Sequence, residues 1–220
     1  MHINTYIDHT LLKPTASKNE IIQLCEEAIN YNFFSVCVNS CYVSLAKQQL
    51  QNTKVKVCSV IGFPLGAMST EAKVNEAKIA LDDGADEIDM VMNLGYLKSQ
   101  DFENVYKDVE AVKRIMPNNI LKVILETCYL EEDELIKASE LAIKGGADFI
   151  KTSTGFGTRG ASLEDIKLMK SVAKDSTKIK ASGGIKDTKT AIDYINLGVQ
   201  RLGTSSGIAI LKGTTSNSNY

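Results

Sequence analysis

Gly84-Ala85-Asp86-Glu87-Ile88-Asp89 and Gly146-Ala147-Asp148-Phe149-Ile150-Lys151 are one helix-to-strand device written twice in the same chain. A glycine ends a helical stretch, a small residue and an acid make the turn, and a strand begins. Gly198-Val199-Gln200-Arg201-Leu202-Gly203 follows the pattern loosely. Set in register, Asp89, Lys151 and Gly203 occupy one position on three strands. Side chains alternate across a strand, so all three point to the same side.

Around these segments, β-branched runs at 3–8, 33–39, 55–61, 87–92, 121–126, 149–153, 178–182 and 201–204 alternate with amphipathic stretches. Several runs are nearly continuous in apolar character, as parallel strands covered on both faces are. Ser17-Lys18-Asn19-Glu20 is a capping box ahead of Ile21, Leu24 and Ala28. Ser162-Leu163-Glu164-Asp165 starts a helix whose apolar face runs Ile166, Met169, Val172 and Ala173. Acids from Glu131 to Glu134 suit a first turn, and Gly145-Gly146 suits that helix's end. Eight strands alternating with helices predict an α/β fold, a single-domain parallel (β/α)8 barrel over residues 1–220, rather than an open sheet. The first strand lies so near residue 1 that almost nothing is expected ahead of the barrel. Residues 213–220, rich in Ser, Thr and Asn, read as a mobile C-terminal tail. Even-numbered strands of such a barrel share interior layers, which puts Asp89 and Lys151 together inside it.

Composition narrows the function classes. The formal net charge is -2, so no general field for nucleic acid or an anionic membrane is built. An anionic ligand must be held by local groups. No apolar run is long enough to span a bilayer, and Met1-His2-Ile3-Asn4 does not open a secretory signal. The five cysteines, Cys25, Cys37, Cys41, Cys58 and Cys128, lack the paired spacing of a zinc site. Free thiols in a reducing cytoplasm are the expectation.

Lys151 follows Phe149-Ile150 and is expected to point inward. A buried ammonium is costly without a partner or a purpose, so a structural ion pair with Asp89 competes with a catalytic role. Lys180, in Lys178-Ile179-Lys180-Ala181, lies on the neighbouring strand, about 4.8 Å away. Two ammonium groups ~5 Å apart repel by roughly 3 kcal/mol at an effective dielectric near 20, which favours a neutral, nucleophilic amine on one of them. Such an amine attacks a carbonyl to give an iminium, an electron sink for carbon–carbon cleavage. Asp89 could hold a water or relay protons with Lys180. Lys178, at the start of its strand, is expected in solvent.

Three successive strand ends carry small, glycine-rich sequences: Ser153-Thr154-Gly155, Ser182-Gly183-Gly184 and Gly203-Thr204-Ser205-Ser206-Gly207. Each alone is an ordinary turn. Together, on the strand-exit side of a barrel, they suit a phosphate held by backbone N–H groups and hydroxyls. Neither a P-loop nor a dinucleotide fingerprint occurs. His9 has no second histidine or acid cluster at ligand spacing, so it is expected to be structural. No metal and no cofactor are expected.

Four motifs resemble the bacterial deoxyribose-phosphate aldolase family over essentially the full chain. They are Ile7-Asp8-His9-Thr10-Leu11-Leu12, Glu87-Ile88-Asp89-Met90-Val91, Phe149-Ile150-Lys151-Thr152-Ser153-Thr154-Gly155-Phe156 and Lys180-Ala181-Ser182-Gly183-Gly184-Ile185. The resemblance implies a TIM barrel that reversibly cleaves 2-deoxy-D-ribose 5-phosphate to acetaldehyde and D-glyceraldehyde 3-phosphate. It implies Lys151 as the Schiff-base lysine, Lys180 as the lysine that perturbs it and Asp89 as the proton-relay aspartate. Thr154, Gly155, Gly183, Gly184, Gly203, Ser205 and Ser206 match substrate contacts, chiefly to phosphate. Asp8 and Thr10 match positions near the substrate hydroxyls. Cys37 matches a residue lining the small aldehyde pocket, with plain strand packing as the competing role. Tyr220 matches a terminal tyrosine that assists proton transfer, and a homodimer is implied. An isomerase or another aldolase on the same phosphosugar barrel, and a non-catalytic phosphosugar-binding module, remain alternatives, although neither the isomerase nor the binding module needs Lys151 and Lys180 together.

Overall fold

The computed structural model of the protein describes residues 2–216. Eight parallel strands close in chain order: β1 (Ile7–Leu11), β2 (Ser35–Asn39), β3 (Lys56–Ile61), β4 (Glu87–Val91), β5 (Ile120–Ile124), β6 (Phe149–Lys151), β7 (Lys178–Ser182) and β8 (Arg201–Thr204). Closure is through Ile7 opposite Leu202 and Asp8 opposite Gly203. Outside the barrel run α1 (Lys18–Asn30), α2 (Val43–Gln49), α3 (Thr70–Asp82), α4 (Leu94–Lys98), α5 (Phe102–Ile115), α6 (Glu132–Lys144), α7 (Leu163–Ala173), α8 (Thr188–Asn196) and the short α9 (Gly207–Leu211). The expected (β/α)8 barrel is the observed fold.

The start signals operate as physical caps. Ser17 and Glu20 form both halves of a capping box on α1, and the Ser162 side chain accepts from Asp165 N at α7. Gly146, with φ +93°, turns the chain from α6 towards β6 in a conformation that costs a glycine little.

The first strand differs from expectation. Residues 3–6 form a 3-10 turn, and β1 is Ile7–Leu11 instead of 3–8. Ile3 and Tyr6, spaced by three, both pack on the core, as a turn allows and a strand's alternation does not. Asp8 and Thr10 consequently lie within the strand.

The sheet separates two kinds of interior. Ile88, Val123, Ile150, Ile179 and Leu202 face outward into a buried apolar layer beneath the helices. Each such side chain contributes about 1.5–3 kcal/mol on burial. The alternate positions face the barrel axis, and several of those are charged. A second buried ion pair, Lys73–Asp108 at 2.6 Å, ties α3 to α5 in the helical layer.

Candidate active site

At the barrel axis, six side chains form a closed ring of alternating charge. Asp89 Oδ1 lies 2.7 Å from Lys122 Nζ, which lies 2.7 Å from Glu87 Oε2. Glu87 Oε1 accepts from Arg201 Nη2 at 2.9 Å, and Arg201 Nη1 donates to Asp8 Oδ1 at 2.8 Å. Asp8 Oδ2 meets Lys180 Nζ at 2.5 Å, and Lys180 returns to Asp89 Oδ2 at 2.9 Å. Lys151 hangs from this ring, its Nζ 2.8 Å from Asp89 Oδ2. All seven groups are buried.

Charges buried at this density must be mutually compensated, because an uncompensated one costs several kcal/mol. Burial alone would raise the Asp89 carboxyl. Lys122, Lys151 and Lys180 outweigh it and hold the group well below the usual carboxylate range. Asp8 is lowered too, Lys180 and Arg201 overcoming its burial. Burial would deprotonate Lys180, but Asp8 and Asp89 keep it an ammonium well past its ordinary value. Lys122 is raised in the same way, chiefly by Asp89.

The ring has three positive and three negative members, so it is neutral without Lys151. A protonated Lys151 leaves the buried cluster at +1; a neutral amine leaves it balanced. Lys151 is also the one member of the cluster that lines the neighbouring cavity, an open cleft of about 550 Å³ including its mouth.

The strand-exit loops after β6, β7 and β8 make the cavity rim. Gly155, Gly183 and Gly184 have φ of +91°, +83° and +76°. Among the described residues, no protein acceptor takes the N–H groups of Gly155, Gly184 or Ser205. The described lining includes Lys151 and Lys186 and no acidic side chain. That arrangement suits an anion. Gly203 has a second task, since a Cβ there would stand 3.0 Å from Lys180 Cε. The missing side chain makes room for the buried lysine stem.

Of the residues singled out in the sequence, Lys151, Thr10, Thr154, Gly155, Gly183, Gly184, Gly203, Ser205 and Ser206 line this cavity. Lys180 and Asp89 stand directly behind Lys151. Asp8, expected near substrate hydroxyls, is instead a fully buried ring member bonded to Lys180, Arg201 and Ser35. Cys37 is buried with Leu12, Cys58 and Val60 behind the cavity wall. Lys178 is solvent-exposed, and His9 bonds Glu27 at 2.7 Å. Tyr220 lies outside the described residues.

Three members of the network escaped the sequence reading: Lys122, Glu87 and Arg201. The signal was available in two of them. Glu87 stands two residues before Asp89 on the same strand face, and Lys122 interrupts the apolar run Ile120–Ile124.

Cys37, Cys58 and Asp89 bring potential metal-ligand atoms within 4.8 Å of one another. Their neighbours argue for a different use. Cys58 donates its thiol hydrogen to Asp89 Oδ1 at 3.0 Å, and burial, then Cys37 and Asp89, push that thiol well above its ordinary range. Lys122 lies 3.3 Å from Cys58 Sγ, so a cation there would meet an ammonium.

The sequence profile of the DeoC/LacD family aldolases matches residues 3–213. A deoxyribose-phosphate aldolase of Treponema denticola is 57% identical, the match covering 97% of this chain and 100% of that one. A crystal structure from Coccidioides immitis, assigned as a deoxyribose-phosphate aldolase, is 45% identical with a TM-score of 0.94, covering 96% of this chain and 85% of that one. The deoxyribose phosphate aldolase of Aeropyrum pernix, described as a unique tetramer, is 34% identical with a TM-score of 0.89, covering 96% and 89%. With the barrel, the buried lysine cluster and the anion-suited rim in place, the chain belongs to the DeoC/LacD family of aldolases and is a lyase.

Proposed function

We propose that this aldolase works through a Schiff base on Lys151 and reversibly cleaves 2-deoxy-D-ribose 5-phosphate to acetaldehyde and D-glyceraldehyde 3-phosphate. The observation that carries the reading is the position of Lys151, the one cavity-lining group attached to an otherwise charge-balanced ring.

The neutral amine adds to the aldehyde carbon C1 of the open-chain sugar, and loss of water gives the iminium. A water held by Asp89 and Lys180 takes the C3 hydroxyl proton, sharing it with the Asp89 carboxylate, as the C2–C3 bond breaks, and afterwards delivers it to C2 of the enamine. The electron pair of the broken bond moves into the iminium to leave that enamine, and C3 becomes the aldehyde of glyceraldehyde 3-phosphate. Protonation of the enamine at C2 and hydrolysis then release acetaldehyde and restore the amine. Asp89 is held so strongly as a carboxylate that it serves as a fixed negative charge and water anchor, rather than as a base alone. Thr154, Gly155, Gly183, Gly184, Gly203, Ser205 and Ser206 take the phosphate end. Thr10 faces a substrate hydroxyl, while Cys37 backs the acetaldehyde side from behind the wall.

The decisive experiment is borohydride reduction in the presence of acetaldehyde, followed by peptide mapping. A reduced ethyl adduct on Lys151 is expected; an adduct elsewhere, or none, removes the reading. Release of acetaldehyde from the phosphosugar, assayed directly, tests the substrate.

Tyr220, proposed from the resemblance to assist proton transfer, is tested by its removal, which should slow turnover without altering folding. A homodimer is proposed on the same ground, and sedimentation reading a monomer would exclude it. No described helix is long and apolar enough to cross a membrane. The free cysteines support the proposed cytoplasmic setting; the resemblance alone supports the proposed part in deoxynucleoside breakdown.

A further inference from the structure

The geometry points to Glu87 and Arg201 as a positioning pair that sets the charge balance under which Lys151 reacts, although neither touches the cavity. The inference rests on Lys151 being the Schiff-base lysine and goes beyond it, to residues at the opposite side of the ring.

Glu87 lies between two ring cations, bonding Lys122 at 2.7 Å and Arg201 at 2.9 and 3.1 Å. Both members are buried, at 3% and 5% exposure. The Arg201 guanidinium lies 3.3 Å from the Phe34 ring centroid, stacked on its face, and reaches across to Asp8. A pair with no other purpose could be replaced by apolar groups of similar size at little or no cost, as buried ion pairs often can. Here the pair completes the ring. Without Glu87 the six positions would sum to +1, and without Arg201 to -1, before Lys151 is counted.

Besides Lys186, which shares the cavity lining from the loop after β7, the ionisable groups around Lys151 come from all the other strands. Asp8 is on β1, Cys37 on β2, Cys58 on β3 and Asp89 with Glu87 on β4. Lys122 is on β5, Lys180 on β7 and Arg201 on β8. Three of these are carboxylates and three are cations. The two thiols add no charge while protonated. Cys37 is lowered, by its contact with Cys58 first and then by Lys180 and Lys151 against its burial, so its ionisation would add a negative charge on the alkaline side.

Removing the negative charge of Glu87 disfavours a proton on Lys151, and removing the positive charge of Arg201 favours it. A single charge about 10 Å away at an effective dielectric near 20 shifts such a titration by on the order of one pH unit.

The test follows the pH dependence of borohydride trapping with acetaldehyde in the wild type, Glu87→Gln, Arg201→Met and the double variant. The acid limb is expected to move about one unit down in Glu87→Gln, about one unit up in Arg201→Met, and back to the wild-type position in the double variant. A merely structural pair would leave the limb where it is, or make the double variant worse than either single one, and either result overturns the inference. Should Arg201→Met fail to fold, Glu87→Gln still decides, because it keeps the outline of Glu87 and predicts a shift of one sign. An absent wild-type adduct would instead remove the Schiff-base reading, and this inference with it.

Discussion

Lys151 and Lys180 are register partners on β6 and β7, and their Nζ atoms converge on the same oxygen, Oδ2 of Asp89, at 2.8 and 2.9 Å. The sequence suggested repulsion between two neighbouring lysines; the structure adds the anion that lets them coexist. Lys180 is doubly paired, with Asp8 as well as Asp89, and stays charged. Lys151 has the Asp89 contact and the open cavity.

Lys180→Leu should therefore do two things. It removes a permanent positive charge, which leaves the ring at net -1 and favours a proton on Lys151, so the activity optimum moves to higher pH. It also strips Asp8 and Asp89 of a shared cation, and breaking a buried pair costs about 3–5 kcal/mol. A pH–rate profile on the refolded variant checks the first effect and urea unfolding the second. An unchanged profile would end the idea that the two lysines are electrostatically coupled.

The same network sets how stability depends on pH. Asp8 and Asp89 are both lowered relative to the unfolded chain, so their contribution is fully present above the unfolded value near 4. It is lost as pH falls from there towards the folded values. Lys122 and Lys180 are raised, so their contribution is complete below about 10.4 and fades only as pH rises past it. Wild-type stability should thus be nearly flat around neutrality, decline above about pH 8.5, where the Cys25 and Cys58 thiols, both raised in the fold by burial, ionise first in the unfolded chain, and fall steeply below about pH 4. In Asp89→Asn the fall below pH 4 should be shallower, starting from a stability about 3–5 kcal/mol lower at neutral pH. Equal acid slopes in the two proteins would show that Asp89 titrates alike when folded and unfolded.

How much of this was legible in the sequence depended on spacing. The strand–helix alternation and the capping boxes are local patterns, and they located the barrel and placed Asp89 and Lys151 on its inner face. The ring was not local: Arg201 and Asp8 are 193 residues apart, and nothing near either names the other. Asp8 shows the same dependence: with β1 running from Ile7 to Leu11 it lies inside the strand, opposite Ser35 and Gly203, where closure brings it to the axis. The charged layer is a product of closure, which brings every strand to one axis.

Glu126 supports the rim from below. It sits at φ +51°, a left-handed conformation unusual for a side chain other than glycine or asparagine. Its buried carboxylate accepts from Thr154 N at 3.1 Å and also from Thr154 Oγ1, fixing the start of the loop that carries Gly155. Glu126→Ala leaves a buried N–H unpaired, at a cost of about 1–3 kcal/mol, and loosens this loop. The expected result is lower stability together with a higher KM for the phosphosugar. Retained KM with lost stability would restrict Glu126 to the scaffold.

Gly184→Ala separates backbone conformation from crowding at the phosphate end. A Cβ at Gly184 would meet nothing within 4 Å, yet φ is +76°. The methyl group therefore costs about 1–2 kcal/mol through the left-handed backbone rather than through collision. If the chain relaxes to avoid that cost, the N–H of Gly184 turns away from the cavity it lines. The reacting centre at Lys151 belongs to another strand and should keep its geometry. KM for 2-deoxyribose 5-phosphate should rise roughly tenfold for about 1.4 kcal/mol of lost binding, with the trapping of acetaldehyde unaltered. The unphosphorylated sugar supplies the control, because it has no phosphate for the loop to hold and should show no comparable rise. A parallel rise for both sugars would move Gly184 from phosphate binding to the general architecture of the rim.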